Sequence, residues 1–231
     1  FAEKYGVTAY DSAEALLADP EIDVVCICTP SGLHAPLAIA AANAGKNIVV
    51  EKPMALTHEE IKNVLDACEK NGVKMSVISQ LRFSKAVNAL KNAIESGDMG
   101  KIVLADLSMK FFRSQEYYDK GGWRGTWKMD GGGALMNQGI HGIDILQYVM
   151  GPVKSVSAIT RTLARNIEVE DTAVAVLEFE NGALGQIVGT TSIYPGSART
   201  LEICGDHGTI VLTEDSITTW EIEGKERPAD I

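Results

Sequence analysis

The alternation of short apolar runs with helix-favouring segments over roughly the first third of the chain is the feature that most constrains this fold. Three runs have the length of buried strands: residues 22–30, 47–51 and 73–79. Between them lie the alanine-rich residues 34–44 and a segment that begins with the capping-box pair Thr57 and Glu60. Because strands that are joined through helices pair in parallel, this part predicts a Rossmann-type α/β sheet.

From about residue 83 the pattern changes to period-two alternation, which is typical of strands with one buried face. Seven runs show it: residues 101–112, 153–163, 171–180, 183–193, 199–204, 208–213 and 216–222. Helices are expected at about 84–96 and 133–151, and Asn181-Gly182 indicates a hairpin. We therefore expect an α+β domain with a large, mostly antiparallel, open sheet over residues 83–231, after a parallel α/β domain over residues 1–82.

Composition excludes several classes of partner. The chain carries 21 Lys and Arg against 31 Asp and Glu, a net charge of −10, so nucleic acid and anionic membranes are poor partners. No apolar run is long enough to span a bilayer, and no signal peptide is visible. The four cysteines, Cys26, Cys28, Cys68 and Cys204, lack zinc-ligand spacing. We expect no metal site, and buried reduced thiols in a cytoplasmic protein.

Polar residues follow the first two predicted strands, at the edge where open parallel sheets bind ligands. They form two groups: Thr29-Pro30-Ser31 and Glu51-Lys52-Pro53. Taken alone, Pro30 is explained equally well as a residue that ends a strand and as part of a binding site. A lysine placed directly after a buried strand has a mobile ammonium that partial desolvation can tune. Lys52 is therefore a candidate catalytic residue.

A second candidate site follows the glycines at 131–133. Asn137 and His141 are four residues apart, so they share a face of the predicted helix. A lone histidine on an apolar helix is usually structural, but the paired Asn137 and the glycines, which permit close approach, favour a function. Histidine is also well suited to accept a hydroxyl proton near neutral pH. The loop at 117–127, with Trp123 and Arg124, either stacks on a flat ligand or covers a small core.

Taken together, these motifs resemble those of the Gfo/Idh/MocA oxidoreductases. The motifs are Thr29-Pro30-Ser31 with His34, Glu51-Lys52-Pro53, and the Gly-Gly-Gly-x-Leu-x-x-x-Gly-x-His-x-x-Asp pattern that begins at Gly131. The resemblance covers essentially the whole chain. It implies that residues 1–82 are a partial dinucleotide-binding (Rossmann) domain and that Lys52 and His141 are catalytic. The family often has Asp four residues before the histidine, where this chain has Asn137. Within the family, residues 115–118, 123–127, 136–138 and 165–171 resemble the WlbA-type enzymes.

The resemblance implies an NAD- or NADP-dependent dehydrogenase that oxidises a sugar hydroxyl by hydride transfer, such as the 3-hydroxyl of UDP-N-acetylglucosaminuronic acid. Two alternatives stay open: an inositol, polyol or free-sugar dehydrogenase, and a cofactor-free binding or assembly module. The family begins with a strand and a glycine-rich loop that binds the pyrophosphate, and this chain starts after them. It is therefore expected to be either a fragment or a protein that has lost cofactor binding.

The implied site uses His141 as the base, Lys52 as the donor to the developing alkoxide, and Asn137 to hold the sugar or orient the base. Expected cofactor contacts are Thr29, Pro30, Ser31, His34, Glu51, Lys52, Pro53, Gln80, Trp123 and Arg124. Expected substrate contacts are Lys52, Arg82, Arg113, Asn137, Gln138, His141 and Arg165. Taken singly, Arg161, Arg165 and Arg199 are expected on solvated faces near strand ends, although Arg165 is also a candidate substrate contact. Because few helices are available to cover seven strands, a symmetric homodimer or homotetramer is expected to form through the sheet.

Overall fold

The computed structural model describes residues 2–229 and divides into two compact units. The first unit ends at Ile78 and the second begins at Ser79, a few residues before the boundary expected near Arg82. Each unit has a hydrophobic core of its own. No helix in residues 2–229 is long and apolar enough to cross a membrane.

The first unit is a three-stranded parallel sheet flanked by helices. Its elements are α1 (Ala2–Tyr5), α2 (Ala13–Ala18), β1 (Val24–Ile27), a 3₁₀ turn (Ser31–Leu33), α3 (His34–Asn43), β2 (Asn47–Val50), α4 (His58–Asn71) and β3 (Met75–Val77). The sheet order is β1-β2-β3, and both strand pairs are parallel, as predicted. The capping box before α4 is present, because the Thr57 side chain accepts from the Glu60 backbone N–H and Glu60 reciprocates.

The core of the first unit lies between α3, α4 and the sheet. Ala38 of α3, Val50 of β2 and Val64 of α4 are fully buried. The expectation that β1 is buried on both faces, with buried thiols, is wrong for Cys26 and Cys28, which are exposed. β1 is buried on one face only: Ile27 is buried, whereas Val24 and Cys26, which point to the opposite face, are exposed. Cys68 is buried, and burial raises the pKa of its thiol.

The second unit is a seven-stranded sheet with helices on one face. Its elements are a 3₁₀ turn (Gln80–Phe83), α5 (Lys85–Glu95), β4 (Ile102–Lys110), α6 (Gln115–Asp119), a π-helical turn (Ala134–Gly139), α7 (Ile140–Met150), β5 (Val153–Arg161), β6 (Thr172–Phe179), β7 (Leu184–Thr190), β8 (Thr200–Gly205), β9 (Gly208–Thr213) and β10 (Ser216–Ile222). The order is β10-β9-β8-β4-β7-β6-β5, with β4 and β7 the parallel pair. The expected mostly antiparallel sheet is confirmed.

The two faces of this sheet differ sharply. On one face α5 and α7 cover a core that includes Leu90, Ile145 and Leu107, each at most 2% exposed. The opposite face carries large apolar side chains that no described element covers: Leu104, Ile159, Val174, Val176 and Leu184. Between 42% and 66% of each of these residues is exposed. We refer to this surface as the open face.

Candidate active site

The strand-end loops of the first unit meet at one edge of the parallel sheet, because β1 and β2 run in the same direction. His34, at the start of α3, is only 1% exposed and joins the two loops. Its Nδ1 lies 2.6 Å from the Pro53 carbonyl oxygen, and its Nε2 lies 2.8 Å from that of Thr29. Both partners are acceptors, and a neutral ring can donate to only one of them. The buried ring thus packs between the two loops and donates a hydrogen bond to at least one of them, a role that the sequence motif did not reveal.

Four of the polar residues predicted at this edge, Thr29, Ser31, Glu51 and Lys52, follow the ends of β1 and β2. Ser31 is buried, whereas Glu51 and Lys52 are half-buried. The Glu51 carboxylate lies 3.3 Å from the Lys52 backbone nitrogen, and the Lys52–Pro53 peptide bond is cis. Gln80, predicted to join this group, is exposed and lies in the first turn of the second unit.

In the second unit, Glu170 holds the start of the turn that carries Asn137. Its carboxylate accepts from the backbone N–H groups of Gly133, at 2.8 Å, and Leu135, at 3.0 Å. Its carbonyl oxygen accepts from Ala134 N–H at 2.9 Å. This close approach requires glycine, since a Cβ at Gly133 would lie 1.7 Å from the Glu170 carbonyl oxygen. Glu170 was not among the residues expected in the site.

The single α-helix expected over residues 133–151 is wrong in its first turn. Residues Ala134–Gly139 form a π-helical turn, and α7 begins only at Ile140. The α-helical spacing of four residues therefore does not relate Asn137 to His141. A π-helical turn inside a helix is frequent at functional sites. Gly142, next to His141, lets α7 approach the sheet, because a Cβ there would lie 2.6 Å from the Met109 sulfur.

A chain of side-chain hydrogen bonds fixes the polar residues of this turn. Asn137 donates from Nδ2 to Asp130 Oδ1 at 2.8 Å, and Asp130 Oδ2 accepts from Gly125 N–H at 2.8 Å. Gln138 donates to Asn137 Oδ1 at 3.3 Å and accepts from Arg113 Nη2 at 2.7 Å. Asp130, 2% exposed, can only accept when ionised, so it sets the orientation of the Asn137 amide. Sequence reasoning missed Asp130, because an Asp-Gly pair indicates only a turn.

The loop at 117–127 supports both interpretations of its sequence. Tyr118 forms a small core beneath it: the ring is 8% exposed, and its hydroxyl lies 2.8 Å from that of Thr191. Burial raises the pKa of Tyr118. The Arg124 guanidinium, in contrast, lies over the Tyr117 ring, at 4.5 Å, and over that of Trp123, at 5.4 Å, on a half-buried surface.

Two arginines have partners that the sequence did not predict. Arg82 forms a two-point ion pair with Asp144, at 2.9 and 2.5 Å, and hydrogen bonding to that carboxylate raises the pKa of the guanidinium. The positive charge of Arg82 is therefore balanced by Asp144 within the protein. Arg199, expected on a solvated face, is 8% exposed. The expectation is wrong because its side chain packs beside Gly142 and its guanidinium donates to the β9–β10 turn, at Asp215 Oδ1.

Known families account for both units. The family described as "Oxidoreductase family, NAD-binding Rossmann fold" matches residues 1–79, and the family described as "GFO/IDH/MocA C-terminal domain" matches residues 87–211. The chain belongs to the Gfo/Idh/MocA oxidoreductase family. The resemblance that the sequence motifs carry is therefore confirmed.

Solved and curated relatives are similar to most of the chain. The WlbA dehydrogenase from Bordetella pertussis, solved with NADH and UDP-GlcNAcA, is 39% identical, with a TM-score of 0.93 over 99% of this chain and 67% of that one. The levoglucosan dehydrogenase of Pseudarthrobacter phenanthrenivorans is 32% identical over 86% of this chain. The myo-inositol 2-dehydrogenase of Thermotoga maritima is 29% identical over 92%. This chain spans 57% and 66% of the length of these last two proteins.

Among residues 2–229, no cluster of three or more His, Cys, Asp or Glu side chains could hold a metal ion. The candidate polar groups of the first unit include the Lys52 ammonium and the Glu51 carboxylate, and those of the second unit include the His141 imidazole, the Asn137 amide and the Asp130 carboxylate. These groups can donate hydrogen bonds, exchange a proton and bind anions, which is the chemistry that alcohol oxidation with an organic cofactor requires.

Proposed function

We propose that this chain is the larger part of an NAD-dependent dehydrogenase that oxidises a hydroxyl group of a sugar. The observation that carries the proposal is that the residues matching both catalytic positions of the family are present: Lys52 directly after β2 and His141 in the first turn of α7. The family assignment and the relatives solved with NADH support the same activity. A protein without chemistry has no need of either side chain.

The strand-end loops of the first unit suit a nicotinamide ring. Thr29, Ser31 and Lys52 offer hydroxyl and ammonium groups at the carboxyl edge of a parallel sheet, where such cofactors bind. When bound, NAD supplies the hydride acceptor. We propose that Pro30, Glu51 and Pro53 also contact it, with His34 acting through the two loops that it joins.

The chain's own residues handle the hydroxyl proton and its oxygen. His141 removes the proton from the substrate hydroxyl as general base. Lys52 donates a hydrogen bond to the same oxygen and stabilises the negative charge that develops on it. Asn137, whose amide is oriented by Asp130, holds the sugar so that this hydroxyl stays within reach of the base.

For the substrate we propose a nucleotide sugar acid such as UDP-N-acetylglucosaminuronic acid, oxidised at C3. The WlbA dehydrogenases of Bordetella pertussis and Chromobacterium violaceum, solved with UDP-GlcNAcA, are 39% and 37% identical to this chain over 99% of its length. The second candidate is a polyol or a free sugar, which the relatives that act on levoglucosan and myo-inositol support.

The test is the rate of NADH formation by the full-length protein with NAD and each substrate in turn. UDP-N-acetylglucosaminuronic acid, myo-inositol and levoglucosan would be compared at equal concentrations. We expect turnover of the sugar acid at least about a hundredfold above that of the two uncharged compounds, as a lost charge-assisted hydrogen bond can cost about 3 kcal/mol. Turnover of only the uncharged compounds would favour the second candidate. No NADH formation and no NAD binding would instead indicate a cofactor-free binding module.

We also propose that the protein forms a homodimer or homotetramer through its open face. Ile159 of β5 lies opposite Val174 of β6, and Leu104 of β4 lies opposite Leu184 of β7. Val176 is two residues from Val174 on the same strand, so these exposed apolar side chains share one face of the sheet. Exposed apolar patches of this kind are typical of subunit interfaces. Light scattering of the full-length protein tests this proposal, and a monodisperse monomer at micromolar concentration would contradict it.

A further inference from the structure

Three arginines of the second unit lie near one another, and within the described part of the chain none of them forms an ion pair with a carboxylate. Arg113 and Arg124 both lie over the Tyr117 ring, at 5.6 and 4.5 Å from its centroid. Arg165 donates from Nε to the Arg113 carbonyl oxygen at 2.6 Å and lies over the Phe112 ring at 5.2 Å. All three are half-buried. We refer to Arg113, Arg124 and Arg165 as the arginine cluster.

The acceptors that the arginine cluster uses are neutral. Arg113 donates to the Phe112 carbonyl and to Gln138, and Arg165 donates to the carbonyl groups of Arg113 and Ala164. The Arg124 guanidinium lies over the rings of Tyr117 and Trp123 and, within residues 2–229, pairs with no carboxylate. Elsewhere in the described residues, Arg82 and Arg199 are paired with carboxylates.

This arrangement is unexpected in so acidic a chain. Its net charge is −10, so carboxylates are in excess, yet no carboxylate among residues 2–229 forms an ion pair with these three guanidiniums. Burying cations without a counter-charge costs free energy, and an anionic ligand would recover it. The positive charge is thus available to a bound anion.

The arginine cluster is also held in place before any ligand binds. Aromatic stacking fixes guanidiniums without neutralising them. Asp171, fully buried, accepts from the backbone N–H groups of Leu163, Ala164 and Arg165, and so fixes the loop that carries Arg165. Side chains that are already ordered lose less conformational entropy on binding.

Hydrogen bonds connect the arginine cluster to the candidate catalytic turn. Arg113 donates to Gln138, and Gln138 donates to Asn137 at 3.3 Å. A ligand that carries both a hydroxyl and an anionic group, and that spans the distance from Asn137 to Arg113, can therefore contact both residues. The cluster and the π-helical turn belong to the same unit, so this relation is fixed within one domain.

We propose that Arg113, Arg124 and Arg165 form the subsite that binds the anionic group of the substrate, either the carboxylate of a sugar acid or the diphosphate of a nucleotide sugar. This inference rests on the proposed function and sharpens it. It removes Arg82 from the substrate contacts, because Asp144 already occupies that guanidinium. It also assigns Arg124 to the substrate rather than to the cofactor.

The test measures binding rather than turnover. Isothermal titration calorimetry of the full-length protein would use three probes: UDP-N-acetylglucosaminuronic acid, UDP-N-acetylglucosamine, which lacks the carboxylate, and free N-acetylglucosaminuronic acid, which lacks the diphosphate. The variants are Arg113→Gln and Arg124→Gln. Arg161→Gln is the matched control, since Arg161 is an exposed arginine of β5 outside the cluster.

We expect each cluster variant to bind UDP-N-acetylglucosaminuronic acid about tenfold to a hundredfold more weakly, the loss of one charge-assisted hydrogen bond. Affinity in the Arg161→Gln protein should stay within about twofold of the unaltered protein. A loss seen with the free sugar acid assigns the cluster to the carboxylate, and a loss seen with UDP-N-acetylglucosamine assigns it to the diphosphate. Circular dichroism spectra that match the unaltered protein would exclude misfolding.

Two results would overturn the inference: unchanged affinity of both cluster variants for every anionic probe, or no binding of any probe by the unaltered protein. Failure of the proposed function has a different signature. In that case the arginine-dependent binding persists, but no NADH forms with any bound sugar. Conversely, turnover of a sugar by both cluster variants at the unaltered rate and KM would leave the dehydrogenase standing without this subsite.

Discussion

Replacement of Gly133 by alanine should distort the turn that carries Asn137 and Gln138. The added Cβ would lie 1.7 Å from the Glu170 carbonyl oxygen, a backbone atom that cannot rotate away. The two segments must therefore separate by more than about 1 Å, since carbon and oxygen atoms do not approach closer than roughly 3 Å. Such a movement takes the Ala134 N–H to Glu170 hydrogen bond, 2.9 Å long, out of range.

The expected fall in the free energy of unfolding follows from the hydrogen bonds that Glu170 makes. One neutral backbone bond, worth about 1 kcal/mol, would be lost, and the two bonds of its carboxylate to Gly133 and Leu135, worth about 1.5–3 kcal/mol each, would be weakened. We expect the free energy of unfolding to fall by about 3 kcal/mol. Because Asn137 would move with the turn, kcat for sugar oxidation should fall more than about tenfold.

The assay is chemical denaturation followed by tryptophan fluorescence. All three tryptophans of the chain, Trp123, Trp127 and Trp220, belong to the second unit, so the signal reports on the unit that contains Gly133. Gly182→Ala is the control: its φ of 85° makes alanine unfavourable by about 1–2 kcal/mol, but the added Cβ meets open space in the β6–β7 turn.

The control variant should lose stability and keep its kcat, whereas Gly133→Ala should lose both. If Gly133→Ala unfolds at the same denaturant concentration as the unaltered protein, the close approach of Glu170 is not a constraint and the reasoning is wrong. If it loses stability but keeps its full kcat, the turn does not position the groups that act on the sugar.

Three further predictions concern catalysis, pH and assembly. His141→Ala or Lys52→Ala in the full-length enzyme should lower kcat about 10²–10⁴-fold, because the first removes the general base and the second removes the hydrogen-bond donor to the substrate oxygen. His141→Ala should change NAD affinity far less. Asp171→Asn should destabilise the protein by roughly 2 kcal/mol at pH 7. Burial raises the pKa of Asp171, but hydrogen bonds from backbone N–H groups outweigh this effect and hold the pKa below its usual value of 3.8. The stabilisation by the ionised carboxylate is therefore complete above pH 3.8, and it is lost as the pH falls through the pKa of the folded protein. Val176→Glu, on the open face beside the neutral Ser157 and Gln186, should shift the protein toward monomers in sedimentation velocity.

Each of these predictions can fail in a distinct way. A near-normal kcat of His141→Ala across the pH range would assign proton removal to Lys52 or to a bound water. A destabilisation by Asp171→Asn that stays constant from pH 7 down to about pH 3 would mean that the carboxylate charge contributes nothing to the loop. Unchanged sedimentation of Val176→Glu would place the subunit interface elsewhere.

The alternation of apolar residues was sufficient to predict both sheets. Strand direction in the first unit followed from connections long enough for helices, and the period-two runs of the second unit became β4 to β10. Caps and turns with a fixed chemistry were also predictable: the Thr57–Glu60 box and the Asn181-Gly182 turn both formed. These features depend on neighbours in sequence, so the sequence alone carries the information.

Partners across the chain were not predictable in the same way. The ion pair of Arg82 with Asp144 joins residues 62 positions apart, and Glu170 meets Gly133 across 37. No local pattern indicates which of several arginines has a carboxylate beside it. For this reason, Arg82 was expected to bind substrate and Arg199 to lie on a solvated face.

The sequence by itself determined the family, the two kinds of sheet, and the candidate catalytic residues Lys52 and His141, because motifs and periodicity are local properties of a chain. Only the tertiary structure decided that residues 134–139 form a π-helical turn and that buried Asp130 orients the Asn137 amide. It also decided that no carboxylate among residues 2–229 pairs with the arginine cluster. These properties depend on which distant groups come within hydrogen-bonding distance, and packing of the whole unit decides that.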